Sequence, residues 1–182
     1  TLLYDIKFFS LNTGFIVGES WNYQSTIIRT TNGGENWTRL SGGLFDVNLR
    51  GVSFVDSLTV ITVGDYFLFR STNCGSSWSY QYIGSYSYND VIFTNFNTGF
   101  SVGNNGKIIK TTDAGITWTE QLSGTNYHLF SVSFSDSMNG FAVGDNGTIL
   151  RTTNGGVSNV ESLSNESLKD FYLFQNYPNP FN

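Results

Sequence analysis

A unit of about 41 residues recurs four times in this sequence, and it constrains the possible folds more than any other feature. In each copy a phenylalanine precedes the glycine of a Val-Gly pair by ten residues, a Thr-Thr or Ser-Thr pair follows, and a further glycine completes the unit. These last glycines, spaced 41, 40 and 41 residues apart, are Gly34, Gly75, Gly115 and Gly156. A repeat of this length is one supersecondary unit, which buries its apolar surface only by stacking against its neighbours.

Each copy predicts four short strands. In the last copy, residues 130–134, 140–145 and 148–152 read as the first three, and Asn146-Gly147 predicts a two-residue hairpin turn because both positions tolerate positive φ. In the third copy, residues 117–121 supply the fourth strand. Four-stranded units at this period predict an all-β fold, a β-propeller with about four blades of four antiparallel strands that form an incomplete ring.

The hairpin turn also predicts the strand register. Pairing of Asp145 with Thr148 would set Val143 opposite Leu150, on one apolar face with Phe141. The opposite face would then carry small residues that a neighbouring blade can approach closely, namely Gly140, Ala142 and Gly144.

The composition favours strands and disfavours several classes of partner. Aromatic residues make up 16% of the chain and charged residues only 13%, which is too few charges to support long exposed helices. A net charge of −5 disfavours nucleic acid, whose phosphates require a basic surface, and no apolar run is long enough to span a bilayer. Because Cys74 is the only cysteine, we expect no internal disulfide and no cysteine metal site. We also expect no cofactor.

A loop motif follows the third predicted strand of each copy. Residues 111–118 read Thr-Thr-Asp-Ala-Gly-Ile-Thr-Trp, which resembles the Asp-box of bacterial neuraminidase repeats. The other copies have Asn in the Asp position, and the fourth has Asn159 in place of the tryptophan. We expect a structural role, in which the Asx side chain accepts backbone N–H groups, the glycine is left-handed and the tryptophan packs the loop onto the blade. The residues assigned to this role are Thr30, Asn32, Gly34, Trp37, Ser71, Asn73, Gly75, Trp78, Thr111, Asp113, Gly115, Trp118, Thr152, Asn154 and Gly156.

A longer phrase in the fourth copy, residues 139–156, is more specific than the loop motif alone. Together with its counterparts over about residues 2–157, it resembles the propeller family named for photosystem II assembly and stability factors. The resemblance implies a non-enzymatic scaffold that binds other proteins. The usual propeller of that family has more blades than this repeat region supplies, so we expect residues 1–157 to be part of a larger ring.

The last part of the sequence departs from the repeat. Residues 158–170 are rich in Ser, Asn and Glu and predict a linker. Residues 171–182 resemble the truncated start of the C-terminal sorting domain of type IX secretion substrates, most recognisably at residues 176–182. That resemblance implies recognition by the type IX secretion machinery, followed by secretion or attachment to the cell surface. The alternative is an extended tail, constrained by proline, with no sorting role.

Each copy carries a cation just before the loop motif, and these are the candidate binding residues: Arg29, Arg70, Lys110 and Arg151. The predicted register sets the last three opposite small or polar residues, namely Thr62, Ser101 and Ala142. One interpretation is that the cation stems are buried between blades, with their charges paired or solvated. The other is a ring of positive charge that binds a carboxylate-bearing or acidic partner.

Enzymatic activity is a competing hypothesis. A sialidase needs an arginine cluster, but the arginines before the loop motifs are equivalent by repeat and are expected on different blades. Other glycosidases need two carboxylates across a cleft, for which the candidates are Asp46, Asp56, Asp90 and Asp136. His128 is the only histidine, so no multi-histidine metal site is expected.

We therefore expect a non-catalytic, exported module that binds a protein or a glycan. A fragment of a secreted, sialidase-like or other glycan-acting enzyme, with catalytic residues on further blades, is the alternative, and a spacer that presents the sorting segment is a third hypothesis. A run of alternating tyrosines, Tyr80, Tyr82, Tyr86 and Tyr88, reads as strand aromatics or as a surface for sugar stacking or protein contact.

Overall fold

The computed structural model describes residues 1–19, 25–40 and 47–156, together with the backbone of residues 161–162. Apart from residues 161–162, the predicted linker and the predicted sorting segment lie outside the described residues. The strands, in chain order, are β1 (Leu2–Phe8), β2 (Gly14–Glu19), β3 (Ser25–Thr30), β4 (Thr38–Arg39), β5 (Leu49–Phe54), β6 (Val60–Ser71), β7 (Ser79–Phe93), β8 (Gly99–Gly103), β9 (Ile108–Thr111), β10 (Thr119–Gln121), β11 (Leu129–Phe134), β12 (Gly140–Gly144), β13 (Ile149–Thr152) and β14 (Glu161–Ser162).

The strands form antiparallel sheets in chain order, which confirms the all-β prediction. The first blade is β1–β4 and the fourth is β11–β14. The strands between them form one continuous sheet because β6 and β7 are each long enough to contain two strands of the repeat. The first part of β6 pairs with β5 and its last part with the start of β7, while the end of β7 pairs with β8. The second blade therefore comprises β5, β6 and the start of β7, and the third comprises the end of β7 with β8, β9 and β10. The pairing of β14 with β13 places the last strand of the fourth blade inside the predicted linker.

Each blade has a β-bulge at the same place in its first strand. In the second blade the register shifts between Leu49 and Gly51, and the other three blades shift at the equivalent residues. A bulge adds one residue to a strand, so side chains three positions apart can point to the same side of the sheet. Leu49 and Val52 are consequently both buried in the same core cluster.

The apolar core lies between blades. Each of three clusters of buried side chains combines two consecutive blades. We call the residues that meet the following blade the forward face and those that meet the preceding blade the backward face. The forward faces are Phe15, Val17 and Ile27, then Ile61, Val63 and Leu68, then Phe100, Val102 and Ile108. The backward faces are Leu49, Val52 and Phe69, then Tyr88, Val91 and Ile109, then Leu129, Val132 and Leu150.

The structure corrects the predicted register of the last hairpin. Ala142 pairs with Leu150, and Phe141 pairs with Arg151, which is one residue away from the prediction. Ala142 and Leu150 are consequently buried together against the third blade, whereas Phe141 and Val143 lie on the other face and are exposed.

A second bulge explains the shift. The turn forms as predicted, with Asn146 at a φ of 53° and the N–H of Thr148 donating to the carbonyl of Asp145 at 3.0 Å. The N–H of Asp145, however, donates to the carbonyl of His128, just before the first strand β11, and the N–H of Gly144 donates to the carbonyl of Thr148 instead. Asp145 is therefore an extra residue between β12 and the turn, and it moves the pairing by one position.

The glycines that end the second strands act within their own blade, not at the neighbouring blade. A Cβ on Gly64 would lie 1.9 Å from the carbonyl oxygen of Asn48, the residue before β5. Equivalent carbonyl contacts of 2.0 to 2.3 Å would meet a Cβ on Gly18, Gly103 and Gly144. The missing side chain therefore lets the first two strands of a blade approach at the bulge.

We predict that Gly64→Ala destabilises the protein by about 3 kcal/mol or more, because the new methyl group can be accommodated only by moving backbone. Gly124→Ala is the control, since Gly124 has a φ of 73° but a Cβ there would meet no atom within 4 Å. The control should lose only about 1 to 2 kcal/mol from backbone strain. Urea denaturation of both variants measures the difference, and equal losses would contradict the close-approach account.

Candidate functional site

The first residue of the loop motif closes the loop in the same way in all four blades. In the third blade, Thr111 Oγ1 accepts the N–H groups of Asp113 and Gly115 at 3.3 and 3.0 Å. The hydroxyl oxygens that make the equivalent contacts in the other blades are those of Thr30, Ser71 and Thr152. The glycines that follow all have positive φ: Gly34, Gly75, Gly115 and Gly156.

The Asx side chain holds the second half of the loop. Asp113 Oδ1 accepts the N–H groups of Ile116 and Thr117 at 3.1 and 2.9 Å, and Oδ2 accepts the Thr117 hydroxyl at 2.6 Å. In the second blade, Asn73 Oδ1 accepts the N–H of Ser77 at 2.8 Å. The hydrogen bonds to Asp113, led by that of the Thr117 hydroxyl, lower the pKa of its carboxyl to about 2.

The first and fourth blades carry Asn at the same position. Asn32 Oδ1 accepts the N–H of Asn36 at 3.0 Å, and Asn154 Oδ1 accepts the Thr152 hydroxyl at 2.9 Å. An amide oxygen therefore occupies the place of the Asp113 carboxylate in three of the four loops, so the loop geometry requires an acceptor and not a charge.

The tryptophans of the motif contact phenylalanines. Trp37 and Trp118 lie edge-on to Phe8 and Phe93 of their own blades, each at 6.0 Å between ring centroids. Trp78 instead reaches across to Phe15 of the first blade at 6.4 Å. These rings extend the packing outward from the buried clusters. Position 159, where the fourth copy lacks the tryptophan, lies outside the described residues.

Three of the four repeated cations donate to the backbone of the next blade. Arg29 donates to the carbonyl of Cys74 at 2.6 Å, Arg70 to that of Ala114 at 3.1 Å, and Lys110 to that of Gly155 at 2.6 Å. Each acceptor is the fourth residue of the following loop motif counted from its Thr or Ser, and each has a positive φ. The cations therefore connect consecutive blades.

The strand register around these cations differs from the prediction, for the reason given above. Arg29 pairs with Phe15, Lys110 with Phe100 and Arg151 with Phe141, so the neighbours are aromatic and not small. The ammonium of Lys110 lies 5.4 Å from the centre of the Phe100 ring.

Arg151 is the exception among the four. It is exposed, and its side chain has no hydrogen bond to any residue in the described part of the chain. A ligand-binding role of the repeated cations stays a prediction, and three of the side chains already have a backbone acceptor in the next blade.

Two aspartates of the first strands form another contact between blades. Asp5 Oδ2 accepts the N–H of Val52 at 2.9 Å, and Asp90 Oδ2 accepts the N–H of Val132 at 2.9 Å. Burial raises the pKa of the Asp90 carboxyl, and the charge of Asp5 acts in the same direction. Asp5 was not among the predicted candidates, although it occupies the same place in the repeat as Asp90. The equivalent residues in the other two blades are Gly51 and Ser131.

The other candidate carboxylates that the structure describes lie in turns. Asp56 Oδ1 accepts the N–H groups of Leu58 and Thr59, each at 2.7 Å, and Asp136 Oδ1 makes the equivalent contacts with the N–H groups two and three residues on. Asn95 makes the same contacts in the third blade. Despite partial burial, which opposes the effect, these hydrogen bonds lower the pKa of the Asp56 carboxyl. The remaining candidate, Asp46, lies outside the described residues.

His128 lies between the third and fourth blades, and the tyrosines of the alternating run differ in their burial. The His128 Nδ1 atom accepts the N–H of Asn105 in the third blade at 3.0 Å, so this side chain connects two blades. Tyr88 is buried, and burial raises the pKa of its hydroxyl to about 12. Tyr80 and Tyr82 are exposed on the last strand of the second blade.

Two structural features are absent from the part of the chain that the structure describes. No cluster of three or more His, Cys, Asp or Glu side chains is arranged there to hold a metal ion. Among the same residues, no helix has the length and apolar character that a membrane crossing requires.

We predict that Asp113→Asn changes the free energy of unfolding at pH 7 by less than about 0.5 kcal/mol, because Asn32 and Asn73 accept the equivalent N–H group, four residues on, without a charge. The lowered pKa of Asp113 implies stability that is present above the unfolded pKa of 3.8 and lost as the pH falls towards about 2. The variant should lack this part of the acid loss, and urea titrations between pH 2 and 7 on the order of one pH unit apart would detect it.

Asp90→Asn is the matched comparison for that prediction. Its carboxylate accepts the N–H groups of Val91 and Val132 and the hydroxyl of Ser131. An amide nitrogen would face one of these donors, so we expect a loss of about 1 to 3 kcal/mol. Equal effects of the two substitutions would contradict the distinction between a loop acceptor and a contact between blades.

The comparisons with known proteins found one matching family model, over part of the chain, and several solved structures with the same fold. A family described as photosynthesis system II assembly factor YCF48 matches residues 82–166. None of the curated proteins matches this sequence.

Solved structures share the fold at low sequence identity. A structure of YCF48 bound to D1 peptide is 22% identical, with a TM-score of 0.71, and the match covers 88% of this chain and 53% of that one. YCF48 from Cyanidioschyzon merolae is also 22% identical, with a TM-score of 0.69 and coverage of 89% and 56%. An ancestral GH74 enzyme is 18% identical, with a TM-score of 0.67 and coverage of 86% and 23%. The chain has the propeller fold and spans about half the length of the two YCF48 structures.

Proposed function

We propose that this chain is a non-catalytic propeller module that binds a protein partner. One similar structure, a YCF48 with a D1 peptide, is a propeller that holds a peptide, and the family that matches residues 82–166 is described as an assembly factor. The repeated polar residues support a scaffold, because most of those described have a hydrogen-bond partner in their own loop or in the next blade.

The observation that carries the proposal is an exposed aromatic patch on the second blade, formed by Tyr80 and Tyr82 over Phe67. The Phe67 ring lies edge-on to those of Tyr80 and Tyr82 at 6.0 and 5.7 Å. Both tyrosines are exposed although they are large and lie two residues apart on one strand. Tyrosine is enriched at protein interfaces because it gives a large contact area and a polar hydroxyl with little loss of conformational entropy.

In the first step of the test, the purified chain is immobilised and used to capture proteins from the envelope and culture fluid of the source organism. Each captured protein is then purified. Titration calorimetry then measures its dissociation constant for the unaltered chain, for a Tyr80→Ser/Tyr82→Ser variant, and for Leu122→Ser, which removes an exposed apolar side chain of the third blade away from the patch. We expect at least about a tenfold weaker affinity for the tyrosine variant only, which corresponds to about 1.4 kcal/mol.

Three outcomes would contradict this proposal. They are the absence of any protein that binds in the purified titration, equal effects of the tyrosine and Leu122 variants, and binding of a glycan in place of a protein. Turnover of sialosides or other glycans that a single carboxylate substitution abolishes would favour the enzyme alternative. The fold shared with the GH74 enzyme supports that alternative. Against it, the carboxylates of Asp56 and Asp136 accept N–H groups within turns.

We further propose that the chain is exported by the type IX secretion machinery to the cell surface or the medium. The support is the resemblance of residues 176–182 to the start of a type IX sorting domain. Immunolabelling in the source organism should find the protein outside the outer membrane, and in a strain without type IX secretion it should stay in the periplasm. An unchanged location in that strain would contradict the proposal.

A further inference from the structure

A cavity of about 690 Å³ lies at the end of the third blade, where the chain crosses to the fourth. Its walls are the turn at residues 105–107, the end of β10 and the loop at residues 122–127. At the junction of the second and third blades, by contrast, β7 runs from one blade into the next without such a loop. The cavity is therefore not a part that every junction repeats, and the packing of blades does not account for it.

Contacts within the chain hold the walls of this cavity in place. A Cβ on Gly106 would lie 2.0 Å from the carbonyl oxygen of Thr125, so the turn and the loop are in direct contact. The N–H of Asn105 donates to His128 Nδ1 at 3.0 Å, and the hydroxyl of Ser123 donates to the carbonyl of Thr125 at 3.1 Å. A ligand would meet a site that is already formed, which lowers the entropic cost of binding.

The charged side chains that line the cavity neutralise each other. They are Lys107, whose ammonium donates to the carboxylate of Glu120, and Glu120 itself. The ammonium also lies 4.7 Å from the centre of the Tyr86 ring. The lining therefore has no net charge, and it favours a neutral ligand over an acidic or a basic one.

Three polar groups at the cavity have no hydrogen-bond partner among the described residues: the side-chain amides of Asn105 and Asn126 and the hydroxyl of Tyr127. An amide presents N–H donors beside an oxygen acceptor, and each hydroxyl group of a sugar both donates and accepts. The Tyr127 side chain is 45% exposed, and its ring offers an apolar surface of the kind that the C–H side of a sugar ring can cover.

The lining also favours a sugar over a peptide. Leu122 and Tyr127 are the large apolar side chains among the residues that line the cavity, and the other lining residues are polar or glycine. Peptide and protein recognition commonly depends on apolar pockets that bury anchor side chains, whereas polar groups dominate here.

We propose that this cavity binds a neutral sugar unit of an oligosaccharide. The amides of Asn105 and Asn126 hydrogen-bond to its hydroxyl groups, and the ring of Tyr127 packs against its C–H side. The cavity shares no residue with the aromatic patch of the second blade, so the sugar binds in addition to a protein partner and does not replace it.

NMR titration of the isotope-labelled full chain tests the proposal with neutral trisaccharides of glucose, mannose, galactose and N-acetylglucosamine. At least one of them should shift the amide resonances of residues 105–107 and 122–127, with a dissociation constant below about 10 mM. Asn126→Ala and Tyr127→Ser should each weaken that binding at least about fivefold. Both side chains are exposed, and circular dichroism establishes that the variants are folded.

Asn105→Gly and Asn146→Gly form a matched pair for the same titration. Both residues occupy the same place in a hairpin turn, with φ of 56° and 53°, and glycine accepts that conformation. Only Asn105 lines the cavity, so its variant should bind the sugar at least about fivefold more weakly, while Asn146→Gly should bind it unchanged. The Tyr80→Ser/Tyr82→Ser variant should also bind the sugar unchanged, which separates this site from the proposed protein site.

Four results would overturn the proposal. They are the absence of binding by every trisaccharide of the panel, resonance shifts confined to other parts of the chain, equal effects of the two turn variants, and tighter binding of a galacturonic acid trisaccharide than of its neutral galactose counterpart.

Discussion

The structure depends on the burial of one blade's apolar face by the next. A single four-stranded unit has apolar side chains on both sides of its sheet and cannot cover either of them, so it is stable only within a stack. The three core clusters all lie at these junctions, and fully buried residues such as Val17, Val63 and Val102 occupy the same place in successive copies. The repeat in the sequence is thus a repeat of contacts between blades.

Polar groups follow the same logic. Three of the four cations before the loop motifs, the aspartates Asp5 and Asp90 and His128 reach the backbone of a neighbouring blade, where an unpaired N–H or carbonyl would otherwise be costly to bury. Most of the described candidates for ligand binding or acid-base chemistry are consequently held in structural contacts, and Arg151 is the exception. A binding site would therefore have to use the exposed surface, and the exposed aromatic residues Tyr80 and Tyr82 are consistent with a protein partner.

The sequence predicted the strands and turns better than it predicted the strand register and the contacts between blades. The period, the turn at residues 146–147 and the all-β fold follow from local patterns, and the structure agrees with them. The predicted register was wrong because Asp145 forms a bulge, in which its N–H donates to the carbonyl of His128 just before β11, and the two turn residues carry no information about that contact. The partners of Arg29, Arg70 and Lys110 were not predicted either, because all three are backbone carbonyls. Every residue has such a carbonyl, so the residue type at a position does not indicate which carbonyl accepts a hydrogen bond. Asp5 was detectable only by aligning the copies, and two of the four have Gly or Ser there.

A double-mutant cycle across one junction tests the central claim most directly. Val102 and Leu129 belong to consecutive blades and are both fully buried in the same cluster. If the blades stabilise each other through these faces, Val102→Ala and Leu129→Ala should show a coupling of about 0.5 to 1 kcal/mol or more in the free energy of unfolding, within a single cooperative transition. Effects that add to within about 0.3 kcal/mol, with separate transitions for the two blades, would contradict the account.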